Sequence, residues 1–376
     1  MKRQLAVLLA CSFAAACAYA QPPGVTPTTI RLGQSAPLTG PAQALGTEMR
    51  LGAKVYFDYV NSHGGIHGRA IELVSLDDGY EPARTEVNTK QLVNGDKVFS
   101  LFGYVGTPTS VAALPIINAE KVPFIAPFTG AEVLRSPASP YIYHVRASYF
   151  DETEEIVRFI VDGTQRRVAV FYQDDAFGKA GLEGVQRALG KRHLETVATG
   201  TVQRNTTNVA AAVSKIASAQ PDAVVMISAY TSCAEFVRQA KRAGYTGQFY
   251  SVSFVGAKAL AEELKDDAYG LIVSQVVPLP WDVTLPVVKD YQRMMMKAGY
   301  KTYSFTSFEG YLGARVVAEA LEAAGPDLTR EKFLSAFERI KNEDLGGFFV
   351  NYGTTGHVGS QFVELTMIGH NGKFVR

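Results

Sequence analysis

The stretch FSLFGYVGTPTSVAALPIINAEKVPFIAPFTGAEVL, residues 99–134, decides the fold. An apolar run, Val98 to Phe102, ends at Gly103. A loop of small and hydroxyl residues follows: Gly106, Thr107, Pro108, Thr109 and Ser110. An apolar helix-like segment comes next, in which Pro115 should kink the helix or split it in two. A second short run, Val122 to Ala126, ends in Pro127, Phe128, Thr129 and Gly130. The order is strand, loop, helix, strand, loop, the unit of an open parallel sheet. Ligands of such sheets bind beyond the carboxyl ends of the strands. Both hydroxyl loops fall at such ends, and the first opens a helix whose free N–H groups suit an anion. Neither loop carries an acid, a base or a cysteine. They are equipped to hold a small polar ligand, not to transform it.

The alternation continues to both sides. Ile30–Gly33 is a first strand running into Ser35 to Gly40, Thr47–Asn61 a helix with Leu51, Val55 and Tyr59 on one face, and Ile71–Leu76 a second strand. Pro82 opens the next helix, where its missing N–H costs little. Tyr141–Val145 is a short strand leading out of this lobe. The pattern then restarts, with strands at 168–172, 195–201, 223–227 and 249–252 and helices at 151–161, 182–189, 209–217 and 234–243. Two further helices, at 287–298 and 308–323, precede a return to strand at 347–350 and 362–368. The expected fold is α/β: two Rossmann-like lobes with largely parallel sheets.

Size agrees with two lobes, since 376 residues exceed one ordinary core. Lys and Arg number 37 against 36 Asp and Glu, so charge offers no argument for nucleic acid or an anionic membrane. The N-terminus has the form of a signal peptide. Lys2 and Arg3 precede an apolar stretch from Leu5 to Ala16, and Ala18-Tyr19-Ala20 ends residues 1–20 as a cleavage site. That implies export to the periplasm. Cys11 and Cys17 lie in this segment, leaving Cys233 alone in the mature chain without a disulfide partner.

Other motifs yield to plainer explanations. His63 and His67 are spaced for zinc but lie in a glycine-rich turn without a third ligand. Asp77-Asp78 and Asp174-Asp175 each follow a strand and precede a helix, where capping accounts for acids. Cys233 has no activating neighbour in sequence. No nucleophile, metal or phosphate-loop motif is present, so no catalytic residue, metal or cofactor is expected. A capping role competes for Thr107 and Thr129 taken singly, but two hydroxyl loops on adjacent strands converge on one crevice. For Tyr230, at the end of a second-lobe strand, a plain surface aromatic competes with a clamp over the ligand, and Phe177 is open to the same two readings.

The runs IRLGQSAPLTG (30–40), NSHGGIHG (61–68), Asp77-Asp78, 103–110, 125–131, QDDAFG (173–178) and QAKRAGYTGQF (239–249) together resemble the type I periplasmic solute-binding proteins of ABC importers, in the leucine/isoleucine/valine-binding-protein-like group. The resemblance implies two lobes joined by a three-strand hinge and closing on a small ligand, delivered to a membrane permease. The crossings fall near 145–148, 274–278 and 353–359. Lobe one would be 28–147 plus 278–355, and lobe two 148–277 plus 356–376. It also implies site residues. Thr107 would grip a ligand carboxylate, with Phe128, Thr129 and Gly130 from the second loop and Phe177 and Tyr230 as second-lobe aromatics. The acid that would pair with a ligand ammonium falls on Ser253. The implied ligand is an apolar amino acid. An amine-free organic acid or amide, or a sensing role for the same fold, is the alternative, and Asp174 and Glu309 are substitute acids.

Overall fold

The computed structural model describes residues 22–353 and 356–376. The segment read as a leader, residues 1–20, lies outside the described residues.

The strands are β1 Thr29–Ala36, β2 Ala70–Asp77, β3 Ser100–Phe102, β4 Phe124–Ile125, β5 Ile142–Tyr143, β6 Val168–Gln173, β7 Thr196–Val202, β8 Ala223–Ile227, β9 Gln248–Ser251, β10 Ile272–Gln275, β11 Glu343–Asp344, β12 Phe349–Val350, β13 Glu364–Ile368 and β14 Phe374–Val375. The helices are α1 Gln43–Ser62, α2 Pro82–Lys90, α3 Thr107–Glu120, α4 Tyr149–Asp162, α5 Ala176–Gly190, α6 Ala210–Ser218, α7 Tyr230–Arg242, α8 Ala257–Leu264, α9 Pro286–Lys297, α10 Phe305–Ala324 and α11 Arg330–Arg339.

Two main sheets form. The first is five-stranded, in the order β2-β1-β3-β4-β5, and every pairing is parallel. The second has the order β14-β13-β10-β9-β8-β6-β7. Its stretch from β7 to β10 is parallel, and β13 and β14 add antiparallel at one edge. The parallel part repeats the first sheet's order, with strand order reversing at β1/β3 in one and β6/β8 in the other. Such reversals open the crevice where α/β sheets take ligands. Central strands such as β8, AVVMI, are buried along their whole length, as a sheet covered on both faces requires.

The chain passes between the sheets three times, after β5, after β10 and between β12 and β13. The first and third passages run side by side. His144 donates its N–H to the His357 carbonyl at 2.8 Å, and Gly359 donates to the His144 carbonyl at 2.7 Å. Tyr143 stacks on His357 with centroids 4.0 Å apart.

The structure corrects the expectation for Pro115. Helix α3 runs unbroken from Thr107 to Glu120 with Pro115 inside. Pro115 sits on the exposed side of the helix, where water can satisfy the carbonyl its ring leaves unbonded. Helices α8 and α11 lie where no element was expected. Within α9, Met294 and Met295 are buried while Met296 is exposed.

Candidate functional site

The two hydroxyl loops meet. Gly106 donates to the Phe128 carbonyl at 3.1 Å and Phe128 to the Tyr104 carbonyl at 2.8 Å, which extends the β3–β4 pairing beyond both strands. That register sets Thr107 beside Thr129, and their Oγ1 atoms lie 2.7 Å apart, both fully buried. Gly106 has φ +101°, and a Cβ there would stand 2.3 Å from the Tyr80 ring, so only glycine fits. It is also the N-cap of α3 and offers no side-chain cap to the helix. Ser110, in the same first turn, has a buried hydroxyl without a partner. Thr129 Oγ1 donates to Tyr149 Oη at 3.3 Å and accepts from Ala131 N at 3.3 Å. Uncapped helix N–H groups beside a buried hydroxyl pair make an anion-accepting corner.

Other main-chain groups of the second loop are engaged within the protein. Gly130 accepts from Tyr149 N at 2.8 Å, and a Cβ on it would meet that nitrogen at 2.6 Å. The loop is thereby pinned to the start of α4. The Phe128 carbonyl is taken by Gly106.

Aromatic rings from both sides meet across the crevice. Phe254 lies 5.4 Å from Phe128, 5.9 Å from Tyr80 and 4.5 Å from Phe177. Phe177 also lies 5.4 Å from Tyr149. Polar contacts join the same faces. Gln173 Nε2 donates to Tyr80 Oη at 3.2 Å, Arg204 pairs with Glu81 at 2.7 Å, and Ala44 N reaches Tyr230 Oη at 3.4 Å. Tyr230 and Ser253 are each 7 % exposed. With Thr107, Thr129 and Phe177 fully buried, entry of any ligand requires the two faces to part.

On the hinge side lies a buried charge cluster. Arg146 Nη2 pairs with Glu152 at 2.9 Å, and Nη1 reaches Glu309 at 3.4 Å. Its guanidinium stands over Phe128, 5.1 Å from the centroid, and 5.8 Å from Tyr149. Burial opposes its charge, but Glu309 and Glu152 outweigh burial and hold it firmly protonated. Glu152 accepts from Ser253 N at 2.8 Å, Ser253 Oγ at 3.1 Å and Ser274 Oγ at 2.6 Å as well. Ser253 Oγ also touches Arg146 Nη2. Glu309 differs: burial pushes its carboxyl up to about 7, with Arg146 opposing and Glu152 adding to the rise.

The acids singled out in sequence serve loops and one helix. Asp175 is the N-cap of α5, accepting from Phe177 N and Gly178 N. Asp77 and Asp78 are not helix caps: the N-cap of α2 is Glu81. Asp77 accepts from Leu38 N, Gly79 N, Thr39 and Arg84. Burial works against its ionisation, yet these bonds outweigh it and hold the carboxyl well below the usual range. Burial pushes Asp78 up to about 6 despite bonds from Ser35, Tyr80 and Thr85. Asp174, offered as a substitute acid, faces Lys179 at 3.8 Å. Cys233 is fully buried, and burial raises its thiol far above the ordinary value. His63 and His67 lie at a turn, and no group of three metal-binding side chains occurs among the described residues.

Sequence reasoning missed Tyr80, Tyr149, Phe254, Arg146, Glu152 and Gln173. One usable signal was Arg146 itself, a charge set directly after an apolar strand at a crossing. Tyr80 at φ +64° and Phe254 in a short 3-10 turn carried no periodic pattern.

Comparison with known proteins agrees on one family. The periplasmic binding protein family profile matches residues 29–373. The Leu/Ile/Val-binding protein homolog 7 of Brucella suis is 24% identical over 330 residues, 84% of this chain and 81% of that protein. The crystal structure of a possible leucine/isoleucine/valine-binding protein from Rhodopirellula baltica is 33% identical, covering 95% of this chain and 98% of that one with a TM-score of 0.88. A substrate-binding periplasmic protein from Ralstonia solanacearum is 32% identical, covering 92% and 99%, with a TM-score of 0.87. No helix among the described residues is long and apolar enough to cross a membrane.

Proposed function

The chain belongs to the periplasmic binding protein family, and we propose that it is the substrate-binding component of an ABC importer, taking an apolar amino acid between its lobes and passing it to a permease. The observation that carries this is the Thr107–Thr129 hydroxyl pair at an uncapped helix start, facing a wall of aromatic rings. The hydroxyls and the first N–H groups of α3 receive the carboxylate. Phe128, Phe177 and Tyr230 enclose the apolar body. Gly130 and Ser253 hold the edges of the site against α4 and the Arg146 cluster. Glu309, with one ion-pair partner at 3.4 Å, is the acid that receives the ammonium. The relatives named for leucine, isoleucine and valine support this ligand class. The lobes that move are 28–147 with 278–355 and 148–277 with 356–376, and binding shifts the population towards closure. The work is done in the periplasm after removal of residues 1–20.

A second ligand class has its own support. Ser253 presents no carboxylate and touches the Arg146 guanidinium, a setting that suits an amine-free acid. Thermal unfolding of the mature protein against amino acids, the matching amine-free acids and their amides separates the two. A ligand at a hundred times its dissociation constant adds about 2.7 kcal/mol. Apolar amino acids are expected to raise the melting temperature and their amine-free analogues not to, and the reverse result overturns the amino-acid assignment. Thr107→Val removes most of the ligand-dependent rise. A rise that survives in Thr107→Val puts the ligand elsewhere.

A further inference from the structure

A second cavity, of about 340 Å³, lies at the hinge, away from the hydroxyl pair. Its walls come from both sheets' surroundings and from the third passage. Glu132 and Arg135 follow β4, Ser148 and Asp151 open α4, Arg187 lies on α5, and Gln361 precedes β13. Arg135 is 8 % exposed. Its Nη2 donates to the Arg146 and Ala147 carbonyls at 3.1 and 3.2 Å, but Nε and Nη1 have no acceptor. It forms no ion pair among the described residues.

Burial and the nearby Arg146 charge work against the Arg135 guanidinium and outweigh the help it receives from Glu132 and Asp151. Asp151 is engaged by Ser148, accepting from its N at 2.9 Å and its Oγ at 2.8 Å in a capping box. Glu132 is half-buried on the wall without reaching Arg135. Arg187 lies exposed at the mouth, its guanidinium 4.6 Å from the Phe150 centroid. A buried guanidinium with two idle donors and no ion pair among the described residues is costly. An oxyanion supplies both the acceptors and the charge.

We propose that this cavity is a binding site for a small oxyanion of the carboxylate or sulfate type, held by Arg135 with Arg187 at its entrance. The site is separate from the crevice and shares none of its proposed ligand contacts. Because its walls belong to the β4–β5 loop, to α4 and α5, and to the third passage, an anion there ties the three together and fixes the angle between the lobes.

Titration calorimetry and thermal unfolding of the mature protein with sodium formate and with sodium sulfate, against sodium chloride at equal ionic strength, test this. One saturable site is expected for formate, sulfate or both, and which of them binds identifies the anion class. Arg135→Gln abolishes it. That variant also loses the bonds to two hinge carbonyls, so Gln361→Glu is the companion: the side chain is exposed, the fold is kept, and a like charge at the wall weakens anion affinity about tenfold. A folded Gln361→Glu protein with unchanged anion affinity overturns the proposal, as does a rise no greater than that given by chloride.

Discussion

Glu152 should be the residue on which the closed hinge depends most. Its carboxylate is fully buried and accepts from Arg146, Ser253 and Ser274. Glu152→Ala leaves the buried Arg146 guanidinium with Glu309, at 3.4 Å, as its one remaining ion-pair partner among the described residues, strands the Ser253 N–H, and leaves the Ser274 hydroxyl only the Ser251 carbonyl at 3.5 Å. Breaking a buried ion pair by removing one partner costs about 3–5 kcal/mol. Unfolding entropy of about 2 cal/mol/K per residue makes each kcal/mol worth roughly 1.3–1.5 °C in a chain of this size. The melting temperature should therefore fall by about 4–7 °C. Thermal unfolding by circular dichroism at pH 7.5, with urea unfolding as a second measure, reads this directly. Glu309→Gln is the control, because it removes a longer contact from the same guanidinium. The reasoning fails if Glu152→Ala melts within a degree of the parent, or if Glu309→Gln costs as much.

Glu309 also predicts a pH dependence. Its carboxyl is raised in the folded protein to about 7, above its unfolded value. Its contribution to stability is thus full below the unfolded value and is lost as pH rises through about 7. Glu309→Gln should gain stability relative to the parent between pH 5 and 8, and parallel melting curves for the two across that range would contradict the assignment. Gly256, at φ +77°, would place a Cβ 2.5 Å from Leu45 Cδ2 across the crevice. Gly256→Ala should hinder closure and weaken ligand binding about tenfold or more, which calorimetry with the ligand found by the thermal screen would measure. Cys233 should react with a thiol reagent only as fast as the protein opens, because its thiol is buried and raised. Rapid labelling of the native protein would contradict that.

Much of the fold was legible in the sequence because α/β lobes announce themselves locally. Apolar runs of strand length, glycine and proline breaks and helical periodicity recur along the chain, and β8 matches its expected span of Ala223–Ile227. Helices α8 and α11 escaped: α8 is eight residues long and α11 ten, short stretches in which little periodicity accumulates. Pro115 misled because its effect depends on which side of the helix faces water, which the local sequence does not state.

By itself, then, the sequence determined two runs of strand-helix alternation, a leader-like start and two hydroxyl loops at strand ends, all properties of contiguous residues. Only the tertiary structure decided that Thr107 and Thr129 touch, that Phe254 closes the aromatic wall, and that Arg146 draws Glu152, Ser253 and Glu309 together. Those partners stand up to 163 residues apart in the chain. Their pairing is set by sheet order and by the hinge passages, and the low dielectric of the buried crevice, not any local pattern, is what makes charge pairing compulsory there.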